Sequence, residues 1–283
     1  MKKTKTPVKR GRPSKTDIEA RIKAAQDTNE TPAERVARIA ERFNVMWKLT
    51  KGAIKGDVRS LILSGAPGVG KSHTIVSLLE EAKDKGTIKY GAVSGVGSAL
   101  GLYKQMYKYS EKNNILLLDD ADALYDDEAS ISLLKAGLDT THRRTISWLS
   151  ESNVLKSEDI PDNFVYEGSM IFITNKDFQT IIDIGSGRLV PHFQALMNRS
   201  IYLDLKLHSD KDLIAWIEFM ILKNHILVQR DLTHDEEKLA VEWLKKHYTE
   251  VRSLSIRTAL FLADFIKSDP KGWDSIAKVT LLR

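Results

Sequence analysis

The sequence contains no cysteine among its 283 residues. It therefore forms no disulfides or thiolate metal sites, and it suits a reducing compartment. It also lacks any apolar run of about 18 residues, which excludes a helical membrane span. The lysines near the N-terminus precede no apolar segment of the kind found in secretory signals. We therefore expect a cytoplasmic protein, or one in a host cytoplasm if viral, with no membrane partner.

Acidic residues are missing from the first 16 positions, where seven basic residues occur. The net charge of the whole chain is +5, so subtracting these seven charges leaves −2 for the rest. With few apolar residues as well, residues 1–30 are predicted to form a disordered basic tail. Within it, Arg10-Gly11-Arg12-Pro13 resembles the core of an AT-hook, in which two arginines enter a narrow A·T minor groove. The alternative is a tail that only binds phosphates or aids solubility.

One glycine-rich stretch carries the strongest functional signal. It matches G-x-x-x-x-G-K-[ST], the Walker A phosphate loop, and reads Gly65-Ala66-Pro67-Gly68-Val69-Gly70-Lys71-Ser72. The loop lies between an apolar segment that can form a strand and a segment that can begin a helix. Its N–H groups and the helix dipole can therefore face an anion. We expect Lys71 to reach the β- and γ-phosphates of ATP and Ser72 to ligate Mg²⁺. His73 follows on the first helical turn, beside the nucleotide, and is not expected to act as a base.

A second motif supplies carboxylates. An apolar run over 115–118 is typical of a buried parallel strand and is followed by Asp119 and Asp120. The carboxyl ends of such strands face the ligand crevice of an open α/β sheet. We expect Asp119 to hold Mg²⁺ through water and Asp120 to polarise the attacking water. Asn175, which follows another apolar strand at 170–174, can orient this water; the alternative is a turn residue.

These motifs make the chain resemble the AAA+ ATPases over roughly residues 34–268. The resemblance implies an α/β fold in which a P-loop domain, with a parallel sheet flanked by helices, precedes a small all-helical lid. It implies ATP and Mg²⁺ as cofactors. It also implies a homo-oligomeric ring, for which a hexamer is expected, although the sequence leaves the number of subunits open.

The resemblance also assigns roles to single polar residues. Asn175 takes the position of the family's sensor 1, Arg199 that of its arginine finger and Arg257 that of its sensor 2. Arg188 and Arg252 are nearby alternatives for the two arginines. The family usually has Glu where this chain has Asp120, so the water must lie closer or hydrolysis is slower.

The predicted helices and strands divide the chain into three parts. The basic tail is followed by an α/β nucleotide-binding domain over 31–206 and by a helical lid over 207–283. The first helix, predicted to end near Gly52, has one buried face and in the resembling family lies near the adenine. Residues 139–169 show only a possible short strand or hairpin arm.

The substrate that such a motor moves remains open between two classes. One is DNA: the resemblance includes helicase loaders, clamp loaders and transposition regulators, and the compact chain suits a phage or mobile-element replication ATPase with a protein partner such as a helicase. The other is a polypeptide, which AAA+ unfoldases grip with an aromatic–aliphatic–glycine loop. Here the corresponding loop is Gly95-Val96-Gly97-Ser98 with Lys104 nearby, which together with the basic tail favours DNA. A P-loop kinase or nucleotide switch is least favoured.

A second basic feature lies outside the tail. Arg143 and Arg144 are adjacent in the α/β part of the chain. We expect a plain surface pair, and the alternative is a pair that faces DNA or the nucleotide of a neighbouring subunit.

Overall fold

The computed structural model describes residues 30–185, 187–207 and 209–283. The tail residues Arg10, Gly11, Arg12 and Pro13 therefore lie outside the described residues. The described strands are β1 Ser60–Ser64, β2 Lys89–Ser94, β3 Asn114–Asp119, β4 Thr145–Ser147, β5 Asn163–Val165, β6 Ser169–Thr174 and β7 Ile201–Asp204. The described α-helices are α1 Pro32–Lys55, α2 Lys71–Asp84, α3 Ala99–Lys108, α4 Glu128–Gly137, α5 Asn153–Ser157, α6 Phe178–Ile184, α7 Val190–Arg199, α8 Asp210–Leu222, α9 His234–His247, α10 Ile256–Ser268 and α11 Trp273–Leu281.

Five parallel strands form the central sheet in the order β2-β3-β6-β1-β7. The apolar runs of β1 and β6 are buried along their whole length, as expected of strands covered by helices on both faces. In register, Ser64 pairs with Thr174 and Asp119 with Ile173, so three strands end at one edge of the sheet. The predicted α/β fold with a parallel sheet and a C-terminal helical region is confirmed.

Helix α1 begins where the sequence places a capping box. The Thr31 hydroxyl accepts from the Glu34 backbone N–H, the Glu34 carboxylate accepts from Thr31, and Pro32 occupies the first turn. The helix extends past its predicted end at Gly52 to Lys55 and stops at Gly56, whose φ of 83° is left-handed.

The packing of α1 on α8 joins the helical region to the α/β region. Asp212 accepts hydrogen bonds from Arg35 at 2.8 Å and from Arg38 at 2.6 Å. Farther along α1, Phe43 stacks on Trp216 of α8 with ring centroids 4.5 Å apart. Because a buried arginine–carboxylate pair and an aromatic stack hold the same two helices, their relative position is well defined.

Helices α8 to α11 surround an apolar cluster of their own. Serine or threonine hydroxyls cap α8, α9 and α10 and belong to Ser209, Thr233 and Ser255. No described helix is long and apolar enough to cross a membrane. The division into domains at 31–206 and 207–283 stays a prediction.

The segment between α4 and β6 contains the antiparallel hairpin β4–β5 and the unpredicted helix α5. The surface pair predicted here is wrong for one member, because Arg144 is buried whereas Arg143 is exposed. Arg144 donates to the carbonyl oxygens of Gly137 and Gly168, both at 2.8 Å, beneath the hairpin. It therefore ties the hairpin to the end of α4 and the start of β6.

Replacing Arg144 with Gln removes the donors of two buried carbonyls, while Arg143→Gln changes a solvated side chain. We expect Arg144→Gln to lower the free energy of unfolding by about 2–4 kcal/mol and Arg143→Gln by less than about 0.5 kcal/mol. Urea denaturation of both variants measures this difference. Equal effects would show that the two carbonyls do not depend on Arg144.

Candidate functional site

A cleft of about 500 Å³ opens where the carboxyl ends of the strands meet α1, α8 and α10. This volume is within the range of small-molecule sites. Its polar wall consists of motif residues and its other wall is mostly apolar. The predicted site residues that line it are Pro67, Gly68, Gly70, Lys71, Ser72, His73, Asp120, Asn175 and Arg257.

The phosphate loop takes a shape that depends on its glycines. Gly68 and Gly70 have φ values of 68° and 103°, which L-residues rarely adopt, and α2 begins directly after Gly70. The start of α2 therefore points its free N–H groups into the cleft. Val69, by contrast, is fully buried, so its side chain belongs to the core and only its backbone belongs to the loop.

The Lys71 side chain is buried and makes three hydrogen bonds. Its ammonium group donates to the carbonyl oxygens of Gly65 and Ala66 (2.8 Å to Ala66) and to the Asn175 amide oxygen at 2.9 Å. Burial lowers the pKa of Lys71 to about 8, although Asp120 and Asp119 favour the charged form.

The hydroxyl of Ser72 donates to an oxygen of Asp119 at 2.9 Å. Burial raises the pKa of Asp119, and the nearby charge of Asp120 adds to this effect. A hydroxyl and carboxylates are the hard oxygen ligands that Mg²⁺ prefers. The donor set therefore fits Mg²⁺, whose charge would stabilise the ionised form of Asp119.

Asn175 connects the lysine to the second acid. Its amide oxygen accepts from Lys71, and its amide nitrogen donates to Asp120 at 2.9 Å. Asp120 has a left-handed backbone with φ of 52°, and its N–H bonds the carbonyl of Ile173 on β6. The second acid and the asparagine are thus held together across the ends of β3 and β6.

Sequence reasoning missed a third acid at this edge. Asp122 accepts from the Thr174 hydroxyl at 2.8 Å and contributes to the electrostatic field at Lys71. The hydroxyl of Thr174 also accepts from the N–H of Lys176 and so shapes the turn that carries Asn175. Asp122 follows Asp119 by three residues, so the sequence did contain this acid close to the other two, but the motif of two adjacent acids does not include it.

The apolar wall suits a nucleobase. It includes Phe43 and Trp47 from α1, Trp216 from α8 and Leu260 from α10. The Trp216 indole N–H donates to the carbonyl of Val69 at 3.1 Å, so this residue of the apolar wall also contacts the phosphate loop. The prediction that α1 lies near the base rested on the resemblance, while Trp216 was missed, although Trp216 and Phe219 occur three residues apart in an apolar helix.

The start of α10 contacts the phosphate loop directly. The N–H of Ile256 donates to the Gly68 carbonyl at 2.8 Å, and a side chain at position 68 would meet Ser255 at 2.8 Å. Arg257, the next residue, lines the cleft. Its alternative Arg252 instead donates to the carbonyl of Leu282 at 2.7 Å.

Neither candidate finger arginine lines the cleft of its own chain. Arg199, at the end of α7, donates to the carbonyl of Ala195 one turn earlier at 3.1 Å. Arg188 is exposed and pairs with Glu128 at 3.0 Å. The role of either residue as a finger stays a prediction.

The loop at 95–98 follows β2 and carries an exposed apolar residue. Among the large hydrophobic residues that the structure describes, only Leu149 is more exposed. Val96 is 92% exposed. Lys104 on α3, which the sequence placed near this loop, forms an ion pair with Glu158. The lysine near this loop is therefore already paired with a carboxylate.

Comparisons with known proteins point to one family. The family model described as "ATPase family associated with various cellular activities (AAA)" matches residues 61–182. An uncharacterized 36.7 kDa protein in the nrdC–mobD intergenic region of Enterobacteria phage T4 is 39% identical over 263 residues, which cover 93% of this chain and 80% of that protein.

Solved structures resemble the chain more distantly. A point mutant of Thermotoga maritima RuvB aligns with a TM-score of 0.49 at 13% identity over 85% of this chain and 68% of that one. A DNA replication initiation factor aligns with a TM-score of 0.46 at 18% identity, over 84% of this chain and 64% of that one. A chain of the HORMA:CdnC:Trip13 complex of E. coli MS115-1 aligns with a TM-score of 0.47 at 12% identity, over 90% of this chain and 94% of that one. Likeness at this level carries no argument about substrates.

Burial of Lys71 predicts that nucleotide affinity depends on pH. The pKa of about 8 means that the ammonium group loses its proton above this pH, whereas phosphates would favour the charged form. Affinity for ATP should therefore be flat from about pH 7 to 8 and then fall by up to about tenfold per pH unit. Titration with a fluorescent ATP analogue measures it. Lys71→Arg should abolish the pH dependence, because arginine does not titrate in this range; the same decline in that variant would assign it to another group.

Proposed function

Since the chain belongs to the AAA family of ATPases, we propose that it binds ATP with Mg²⁺ and hydrolyses the γ-phosphate to drive a DNA-associated loading or remodelling step. One observation carries the enzymatic part of the proposal. Lys71, Asn175 and Asp120 form a hydrogen-bonded series at the strand ends, beside the pair of Ser72 and Asp119. A phosphate-binding cation and two acids with separate partners are what phosphoryl transfer to water needs.

Each residue of the series has a distinct role in this proposal. Lys71 and the start of α2 bind the β- and γ-phosphates, and Ser72 with Asp119 would hold Mg²⁺. The ion would supply positive charge to the phosphate oxygens. Asp120 accepts the proton of the attacking water, while Asn175 orients that water. The short Asp120 is held in place by the Asn175 amide, which favours one position of the carboxylate.

The lid is proposed to sense the γ-phosphate through Arg257. Because Ile256 bonds Gly68 and Trp216 bonds Val69, the helical region contacts the phosphate loop through two elements. A change at the phosphates can therefore move α8 and α10 together. This motion would pass the state of the nucleotide to whatever the protein handles.

The arginine finger is proposed to act in trans within a homo-oligomeric ring, for which a hexamer is the expected form. Arg199 is the first choice because it ends α7 next to β7, outside the cleft of its own chain. Its cation would complete the site of a neighbouring subunit, so hydrolysis would require assembly.

DNA is the proposed substrate because the excess positive charge of the chain lies before Asp17. A basic segment that neutralises phosphates gains affinity by releasing counterions. Remodelling of a polypeptide is the second candidate, and the exposed Val96 favours it, since an apolar side chain at a loop tip can grip a peptide. ATPase rates with single-stranded DNA, duplex DNA and unfolded protein separate the two; stimulation by unfolded protein alone would assign the second.

The catalytic roles are tested by two variants and their mixtures. Asp120→Asn keeps its shape but loses the base, so ATP should bind normally while kcat falls at least about 10²-fold. Arg199→Ala should reduce kcat by about 10³-fold or more.

Mixing the two variants should restore activity, because an Arg199→Ala subunit with an intact Asp120 receives the finger of its Asp120→Asn neighbour. Steady-state ATPase assays across mixing ratios, with assembly verified by sedimentation, measure this rescue. Absence of rescue in assembled mixtures would reassign the finger, with Arg188 as the next choice.

Deletion of residues 1–16 tests the role of the tail in binding DNA. Affinity for duplex DNA should fall, and the slope of log K against log salt should decrease by about 4–5 units if four to six phosphates are neutralised, at roughly 0.9 per phosphate. Changing Arg10 and Arg12 to Lys should cost more affinity on A·T-rich than on G·C-rich duplex. Filter binding over a salt series measures both, and the ATPase rate without DNA serves as the control. Full DNA affinity after the deletion would contradict a role for the tail.

A further inference from the structure

Three metal-ligating side chains meet in the helical region, away from the phosphate loop. They are His225, His234 and Glu237, and their ligand atoms all lie within 4.8 Å of one another. A carboxylate oxygen of Glu237 is 2.9 Å from Nδ1 of His225 and 3.5 Å from Nδ1 of His234. Ligand atoms around a tetrahedral zinc ion, with bonds of about 2.0–2.1 Å, lie about 3.3 Å apart. The two spacings from Glu237 bracket this value.

Local structure explains why the three side chains converge. His234 is the first residue of α9 and Glu237 follows three residues later, so both project from the same face of the first turn. His225 lies in the connection after α8, where its left-handed backbone, with φ of 50°, is followed by a turn closed by Val228. The two imidazoles thus approach one carboxylate from separate segments.

The Glu237 carboxylate supplies the second observation. It is fully buried (0% exposed); its oxygen Oε2 faces the two histidines, and its other oxygen, Oε1, has no hydrogen-bond partner among the described residues. A buried carboxylate with an unsatisfied oxygen is costly unless a cation compensates for its charge. Both histidines are half exposed, so an ion can enter and keep a water as its fourth ligand.

We propose that His225, His234 and Glu237 form a zinc site. Imidazole nitrogen with one carboxylate suits Zn²⁺ and is a poor set for Mg²⁺ or Ca²⁺, which prefer oxygen ligands. The ion would fasten the α8–α9 connection to α9. Since Asn224 and Ile226, on either side of His225, line the nucleotide cleft, the site would also steady one wall of that cleft.

The test is a Zn²⁺ titration of the chelator-treated, untagged chain with Mg²⁺ in excess, so that Mg²⁺ occupies the oxygen ligands of the phosphate site. We expect one Zn²⁺ per chain and a higher midpoint of thermal unfolding when it is bound. His225→Asn and His234→Asn should each weaken this binding at least about tenfold, since loss of even an indirect partner of a metal ligand costs about that much. They should also abolish the thermal shift.

Two further measurements keep the test decisive. His142→Asn changes an exposed histidine outside the helical region and should bind Zn²⁺ as the unsubstituted chain does. Substitution with Co²⁺ should give the visible absorption of a tetrahedral site, and this absorption should be lost in Glu237→Gln. Failure of the unsubstituted chain to bind, or unchanged binding in the folded histidine variants, would overturn the proposal and leave an ion pair only. Neither result bears on ATP hydrolysis.

Discussion

The buried ammonium group of Lys71 is the constraint on which the site depends. A charge removed from water must be compensated, and here two loop carbonyls and the Asn175 amide oxygen provide this compensation. Because Asn175 follows β6 and the loop follows β1, the lysine joins the ends of two adjacent strands. Asn175 then extends the link to Asp120 after β3. Three segments distant in sequence are thereby held around one cleft.

The same loop is also the point at which the helical region is attached. The Trp216 indole and the Ile256 N–H bond the carbonyls of Val69 and Gly68, two neighbouring residues. Farther from the cleft, Asp212 is held by two arginines of α1. Burial by itself would raise the pKa of this carboxyl, but hydrogen bonds from the arginines and from Ser209 lower it. The loop that is proposed to bind the nucleotide is therefore also the segment of backbone that the helical region contacts.

Much of the fold was predictable from local patterns. The apolar segment before the phosphate loop and the apolar runs at 115–118 and 170–174 predict strands, and the structure has β1, β3 and β6 there. The Walker A loop follows from its motif, and the location of the acids at the end of β3 follows from strand-end geometry, because parallel strands expose their carboxyl ends at one edge. The family match over residues 61–182 agrees with the resemblance that these motifs carried. The roles of individual site residues stay predictions, as do the AT-hook-like segment and the ring.

What the sequence by itself determined is most of the helices and strands outside residues 139–169 and the identity of the phosphate loop, because both depend on neighbours within a few residues. Only the tertiary structure decided the fate of residues whose partners are distant. Arg143 and Arg144 are adjacent and have the same side chain. Arg143 is nevertheless exposed to solvent, whereas Arg144 donates hydrogen bonds to two buried carbonyls. Likewise, Trp216 lines the cleft, and Glu237 contacts His225 from a different segment of the chain. The burial of a polar group, and hence its pKa and its function, is set by long-range packing that no local pattern records.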